Sequence, residues 1–409
     1  MYVETTKHNS YSYLRQTGEI VSGVVDDDNY VWTFNPLTPF FEMSELNMFI
    51  LGITEQCNLR CTYCCYSGEY ANNRSHSTHS MTRSDIDDIY NFIRELSPKR
   101  PFRISFYGGE PLTHYDLVQY AIGKAVRLWN DEVTFSITTN ATLLSKEKVD
   151  WLLAYHVKLE ISIDGTARFH DKCRIDSAGN GSYSRMYQAL SYIFQEYPEE
   201  IQNLQLLMTL PTFDILPSIA EEWNNDEILK NIAPSHITAV SPNFSKGVSR
   251  KEYDRLKVQY LKLLDLYERH QDWLVLKTFF NECIAYWKDR PIVDAGYSVP
   301  MSTCMPRNNK LFIDANKQIA VCEKISDNFR MGTVDKGVNW NIANEQVQLY
   351  YNRRVHRCAH CPAIRMCDLC LTAIEFNEEQ WDVLCHNERI YARLYMFLFC
   401  EMAERGMIE

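Results

Sequence analysis

The chain has no excess of positive charge. Its 409 residues carry 42 Lys and Arg against 53 Asp and Glu, a formal net charge of −11. Without a basic footprint, nucleic acid is excluded as the main partner. The opening Met1-Tyr2-Val3-Glu4-Thr5-Thr6-Lys7 has no basic stretch leading into an apolar one, so no signal peptide is predicted. No apolar run approaches the ~18 residues that a membrane span needs, so no membrane partner and a cytoplasmic location are expected. Glycine is scarce at 15 residues while aromatics reach 13%, which excludes fibrous and disordered classes. Cysteine is not scarce. Fourteen cysteines in a reducing compartment do not suggest a disulfide framework, and metal binding explains them better where the spacing agrees.

With 45% hydrophobic residues the chain supports one large core and a smaller companion domain. Short apolar runs occur at Met48–Ile53, Phe102–Tyr107, Val133–Thr138, Val157–Ile163, Leu204–Leu210 and Ile237–Val240. Between them, Asp85–Leu96, Asp116–Trp129, Lys146–Ala154, Tyr187–Gln195 and Ile215–Leu229 repeat apolar residues at helical spacing. Five of the runs read apolar nearly throughout, as strands covered on both faces do. The alternation predicts an α/β fold, a partial (β/α)6 TIM-like barrel over 48–245. An open doubly wound sheet fits the same alternation. Thr82 followed by Asp85 reads as a helix start, leaving Cys57–Met81 as a long loop after the first strand. Residues 1–47 read as a hairpin, Glu19–Val25 against Tyr30–Phe34 around Asp26-Asp27-Asp28-Asn29. That segment either caps the barrel or contacts a leader peptide. Residues 246–300 form a helical linker, and 301–409 a cysteine-rich domain.

Cys57, Cys61 and Cys64 place three thiols on one loop in a CxxxCxxC spacing. Three thiolates can hold three corners of a 4Fe–4S cluster and leave one iron open for another molecule. Buried structural cysteines or part of a zinc site are the plainer alternatives. Beyond residue 300 stand Cys304, Cys322, Cys358, Cys361, Cys367, Cys370 and Cys385, whose paired CxxC spacings also suit zinc knuckles.

The first cluster, with aromatic Tyr63 before its last cysteine, resembles the radical S-adenosylmethionine (SAM) superfamily signature. The resemblance implies that the open iron chelates SAM and that reduction yields a 5′-deoxyadenosyl radical able to abstract hydrogen. Gly108-Gly109-Glu110-Pro111, Thr138-Thr139-Asn140 and Ser162-Ile163-Asp164-Gly165 with Arg174 resemble the family's further elements at successive strand ends. By that resemblance Glu110 receives the SAM amino group, Ser162 and Asp164 lie near the ribose, and Arg174 lies near the carboxylate. Tyr63, Gly108, Gly109, Thr139 and Asn140 complete the cofactor-binding set.

The later cysteines resemble the SPASM domain, which holds two auxiliary 4Fe–4S clusters. The resemblance implies three clusters in all, with Cys304, Cys322 and Cys370 on the nearer auxiliary one and Cys358, Cys361, Cys367 and Cys385 on the distal one. The fourth position of the nearer cluster is either open or filled by Cys283. The turn before Cys322 carries Ala315-Asn316-Lys317 where glycine is usual, and Asn316 suits a left-handed turn position. Cys65, Cys173 and Cys400 read as small buried hydrophobes. The tract Arg74–His79 reads as a solvated loop or a substrate contact. Together these point to an enzyme, a ribosomal-peptide (RiPP) maturase that cross-links side chains of a precursor peptide through a thioether or carbon–carbon bond. Such an enzyme draws electrons from a flavodoxin or ferredoxin-like donor. A sulfatase-maturing enzyme and a non-catalytic electron carrier are the alternatives.

Overall fold

The computed structural model describes all residues except 1, 16, 26–30, 33, 40–45, 71–72, 241–246, 291–303, 307–308 and 409. The chain divides into two compact units. One comprises Met1–Pro39, Ser241–Cys304 and Glu345–Glu409, the other Phe40–Val240 with Met305–Asn344. The chain opens with a three-stranded antiparallel sheet of β1 (Tyr2–Thr5), β2 (Ser10–Tyr13) and β3 (Ile20–Ser22). Gly18 takes φ +78° and its amide donates to the Leu14 carbonyl at 2.8 Å, a turn that a residue without Cβ makes cheaply. The expected hairpin is thereby corrected. Ile20–Ser22 pairs with the preceding Ser10–Tyr13, because a short local turn already closes that pair. Trp32 instead donates its amide to the Ala359 carbonyl at 2.9 Å and buries its ring beside Cys358 and Ile364. The turn Asp26–Asn29 and Tyr30 lie outside the described residues.

In the second unit six parallel strands neighbour one another in chain order: β4 (Met48–Thr54), β5 (Phe102–Gly108), β6 (Val133–Thr139), β7 (Val157–Ser162), β8 (Gln205–Leu210) and β9 (Pro234–Ala239). Helices α1 (Arg83–Leu96), α2 (Tyr115–Trp129), α3 (Lys146–Ala154), α4 (Ala167–Cys173), α5 (Tyr183–Glu196) and α6 (Leu216–Asn225) connect them. This is the partial barrel read from the alternation. Only α4, seven residues long, had no helical pattern of its own.

Strand β4 is buried from Phe49 to Thr54, but not every strand is covered on both faces. In β7 Leu159 and Ile161 are buried while Lys158, Glu160 and Ser162 are half-exposed, the two-residue alternation of a strand with one dry face. The polar sides join across strands. Ser136 Oγ donates to Ser105 Oγ at 2.9 Å, and Thr138 Oγ1 donates to Glu160 Oε2 at 2.6 Å. The sheet also continues beyond β4. There β10 (Lys310–Ile313) runs parallel to β4, and β11 (Gln318–Ala320), β12 (Gly332–Thr333) and β13 (Gly337–Val338) follow antiparallel. Residues drawn from the 301–409 segment therefore belong to the barrel's sheet.

In the first unit α7 (Arg250–Arg269) starts at a capping box between Ser249 and Glu252, followed by α8 (Leu274–Lys288). Helices α9 (Trp340–Cys358) and α10 (Glu378–Glu404) come later in the chain. Trp287, Met366, Ala392, Met396 and Tyr13 form one buried cluster in this unit. Glu4, 3% exposed, pairs with Lys257 at 3.0 Å and with Arg393. The buried carboxylate is thus matched by two cations.

Candidate cluster and cofactor site

The loop after β4 ends where Thr82 caps α1 through a reciprocal capping box with Asp85, the local signal read from the sequence. At its other end the three signature cysteines are pinned by main-chain bonds. The Arg60 amide donates to the Ile175 carbonyl at 2.6 Å and the Thr62 amide to the Cys173 carbonyl at 2.9 Å. Cys57, Cys61 and Cys64 are each half-buried. Backbone N–H groups already point at two of the sulfurs, Leu59 at Cys57 and Tyr66 at Cys64, both at 3.4 Å. Burial pushes the Cys57 thiol up to about 12 and the Cys61 thiol to about 11. A hydrogen bond with Cys65, together with burial, takes Cys64 to about 12. Such thiols give up their protons only to a strong compensating charge, which iron supplies. Among the described residues no three metal-binding side chains yet converge on one point. The fit to a cluster is one of donor type and placement.

The strand ends converge beside this loop. Gly109 donates its amide to the Thr54 carbonyl and Glu110 its amide to the Gln56 carbonyl, both at 2.8 Å. A Cβ on Gly109 would stand 2.1 Å from the Gln56 oxygen, and one on Gly108, at φ +131°, 2.2 Å from the Thr54 oxygen. The close approach these glycines allow is therefore first that of the chain's own β4 loop.

Glu110, 1% exposed, accepts from the Leu112 amide at 3.0 Å, the Thr139 hydroxyl at 2.8 Å and the Asn140 amide at 2.8 Å. Burial nonetheless holds its carboxyl above the usual range, against those bonds. Asn140 Nδ2 donates to Asn58 Oδ1 at 2.9 Å and stands 4.0 Å from Cys57 Sγ.

A second group gathers on Asp164, 2% exposed. It accepts from Arg174 Nε at 2.9 Å, from the Thr209 amide at 3.1 Å and from the Tyr63 hydroxyl. The Arg174 guanidinium lies 5.5 Å from the Tyr63 ring centroid. Ser162, at the end of β7, is half-exposed two residues away. Behind the group His170 accepts the Asp164 amide on Nδ1 at 3.3 Å and donates from Nε2 to Ser182 Oγ at 3.0 Å. Burial lowers the His170 imidazole to about 3, which keeps it neutral in that role.

The later cysteines divide between the two units. Cys322 lies in the barrel unit, and Cys304, Cys358, Cys361, Cys367, Cys370 and Cys385 in the other. The turn before Cys322 is built on Asp314 Oδ1, which accepts the Asn316 and Gln318 amides at 2.9 and 2.8 Å. Lys317, at φ +58°, takes the left-handed position that the sequence assigned to Asn316. Its ammonium is tied to Asp88 at 2.9 Å and Asp335 at 3.2 Å, contacts that help hold the strained residue.

In the other unit Arg354 is 1% exposed with Nη1 3.6 Å from Cys367 Sγ. Burial pushes the Cys358 and Cys367 thiols up to about 12, and the Arg354 charge opposes the shift on both. A buried guanidinium among thiols suits a centre whose ligands are anionic, and it fits the distal set. Cys370 is exposed, Cys304 half-buried, and Cys283 buried in α8 near Tyr260 and Tyr395. Sequence reasoning missed His170 and Arg354, and it named Arg74 and His76 only as part of the polar tract Arg74–His79. Arg74 meets a partner 240 residues away, while His76, His170 and Arg354 meet theirs within 6–13 residues, across turns that no local pattern specifies.

Residues 51–215 match the family model described as Radical SAM superfamily. The chain carries a radical SAM domain. Cofactors of that family are SAM and a 4Fe–4S cluster, and the chain is an enzyme of this kind. It is 23% identical over 379 residues to the radical SAM cyclopropyl synthase TigE of Paramaledivibacter caminithermalis, covering 87% of this chain and 73% of that protein. It is 32% identical over 170 residues to a cysteine-type anaerobic sulfatase-maturating enzyme of Clostridium novyi, covering 40% of this chain and 44% of that one. Among solved structures, native anSMEcpe with bound AdoMet superposes with a TM-score of 0.64 at 15% identity, over 88% of this chain and 98% of that one. That likeness is one of fold. No helix among the described residues is long and apolar enough to cross a membrane.

Proposed function

We propose that this radical SAM enzyme modifies a peptide, forming a side-chain cross-link in a ribosomally made precursor, with two auxiliary clusters in a SPASM-type domain. The observation that carries the reading is the convergence of the Cys57–Cys64 loop with Glu110, Asn140, Asp164 and Arg174 at successive strand ends, in a chain with seven further grouped cysteines. SAM bound at the signature cluster would supply a hydrogen-abstracting radical. The chain's own residues then bind and orient: Glu110 and Asn140 edge the SAM amino side, and Asp164 with Tyr63 and Arg174 the ribose and carboxylate side.

A carbon–carbon bond leads over a thioether, because the relative aligned over most of the chain is named for making a cyclopropyl ring. Formylglycine formation in a sulfatase is the second reading, favoured by the 32% identity over 170 residues to a sulfatase-maturating enzyme. The electron donor is proposed to be a flavodoxin or ferredoxin-like protein.

The deciding experiment uses protein reconstituted anaerobically with iron and sulfide. It should hold three 4Fe–4S clusters, cleave SAM to 5′-deoxyadenosine on reduction, and lose only one cluster when Cys57, Cys61 and Cys64 become alanine. Incubated with the peptide encoded beside its gene, it should remove two hydrogens per bond formed. Zinc in the C-terminal region, or no 5′-deoxyadenosine, overturns the reading. Formylglycine on a sulfatase peptide in place of the cross-link selects the second.

A further inference from the structure

His76 lies in the polar tract to which the sequence assigned no definite role. Its Nε2 stands 3.6 Å from Cys64 Sγ, and its Nδ1 stands 3.2 Å from the Glu55 carbonyl oxygen. Several independent contacts hold the ring there. The His76 amide donates to the Tyr66 carbonyl at 2.8 Å, and Ser67 pairs with Ser75 as an antiparallel bridge, so Ser75 and His76 lie alongside Tyr66 and Ser67. The imidazole stacks on Tyr66 with centroids 5.9 Å apart and planes 30° from parallel. Tyr66 is itself 4% exposed and donates its hydroxyl to the Glu323 carbonyl at 2.7 Å. Two residues before His76, Arg74 anchors the stretch through a buried pair with Asp314 at 2.9 Å.

We propose that His76 is a positioning residue for the signature cluster, donating an N–H···S hydrogen bond to the Cys64 thiolate that makes the cluster easier to reduce. This inference rests on the reading of Cys57, Cys61 and Cys64 as cluster ligands. An iron-bound thiolate is an acceptor, so the ring meets it through a protonated Nε2. Reduction adds an electron from the external donor to a centre already surrounded by anionic sulfur. A hydrogen bond to one of those sulfurs stabilises the more negative state further, and such bonds are among the levers that set cluster potentials. Asn140 Nδ2, at 4.0 Å from Cys57, makes a weaker contact of the same type.

The test is an EPR-monitored redox titration of the reconstituted protein, following the cluster signal that SAM perturbs. His76→Phe keeps a flat ring but no N–H, and should shift the reduction equilibrium about tenfold, a midpoint about 59 mV more negative for a one-electron couple. His76→Gln restores a donor and should recover part of that shift. Iron content and the auxiliary signals should stay as in the wild type. An unchanged midpoint in His76→Phe at equal iron content overturns the inference. Should His76→Phe fail to load its cluster, pulsed EPR on the wild type with 15N-histidine decides. A histidine nitrogen coupled to the reduced, SAM-sensitive cluster supports the hydrogen bond, and its absence overturns it. Wild-type protein that takes up no cluster at all sinks the functional reading, and this inference with it.

Discussion

Replacing Glu110 by Gln changes one atom, and the structure sets what that atom costs. Oε1 accepts from Leu112 N–H and Thr139 O–H, and Oε2 accepts from Asn140 N–H. A glutamine amide has one acceptor oxygen and one donor NH2. Placing its oxygen at the Oε1 position keeps two bonds and sets the NH2 against the Asn140 amide; the flipped orientation loses two bonds instead of one. The better orientation still leaves a buried donor without an acceptor, at a cost of about 1–3 kcal/mol. Removing a buried charge works in the opposite direction. The NH2 then faces a second donor with no acceptor for either, and that conflict should outweigh the relief of removing a charge that burial disfavours. For a body of about 150–250 residues each kcal/mol moves Tm by about 2–4 °C, so the barrel transition of the apoprotein should fall by about 2–12 °C in a calorimetric scan. Under the proposed function, SAM affinity should also drop by roughly tenfold or more, from loss of a charge-assisted bond of about 1.5–3 kcal/mol. A barrel that melts as the wild type does would refute the three-donor account of Glu110. Unchanged SAM affinity would remove Glu110 from the cofactor site.

Gly109→Ala places a Cβ 2.1 Å from a backbone oxygen that cannot rotate away; it should cost about 1–3 kcal/mol and displace the Cys57 loop, seen as lower iron content after reconstitution. Arg74→Met strands the Asp314 carboxylate, whose side chain is 2% exposed, and should cost about 3–5 kcal/mol by urea denaturation, with Arg74→Met/Asp314→Asn recovering part of the loss. His170, lowered to about 3 in the fold from 6.5 when unfolded, binds more protons in the unfolded chain between those values. Its stabilising contribution is therefore present above pH 6.5 and lost as pH falls toward 3, up to roughly 5 kcal/mol. The Tm of the barrel should fall less steeply over that window in His170→Gln than in the wild type, and equal slopes would refute the assignment.

Some of this protein is determined by the sequence alone, because the responsible interactions are local. The βα alternation is one case, since period-two and period-3.6 patterns are written within single elements. The Thr82–Asp85 capping box is another, closed over three residues. CxxxCxxC on one loop is a third, because three thiols within eight residues must share a neighbourhood. Tertiary structure decided what depends on partners far along the chain. The half-exposed face of β7 and β8 was passed over because five of the six runs read apolar nearly throughout; burial in the assembled sheet separates Lys158, Glu160 and Ser162 from Leu159 and Ile161. Strand β3 turned back to β2 through a six-residue connection in which Gly18 takes φ +78°, a pairing that alternation alone did not choose over the turn at Asp26–Asn29. The parallel pairing of Lys310–Ile313 with Met48–Leu51 spans more than 250 residues, and nothing in either tetrapeptide names the other. Arg74 met Asp314 for the same reason, and His76 met Cys64 only twelve residues away because the intervening chain returns on itself at Ser67 and Ser75. A hydrogen bond or an ion pair is specified by where two side chains arrive, and arrival is a property of the packed fold.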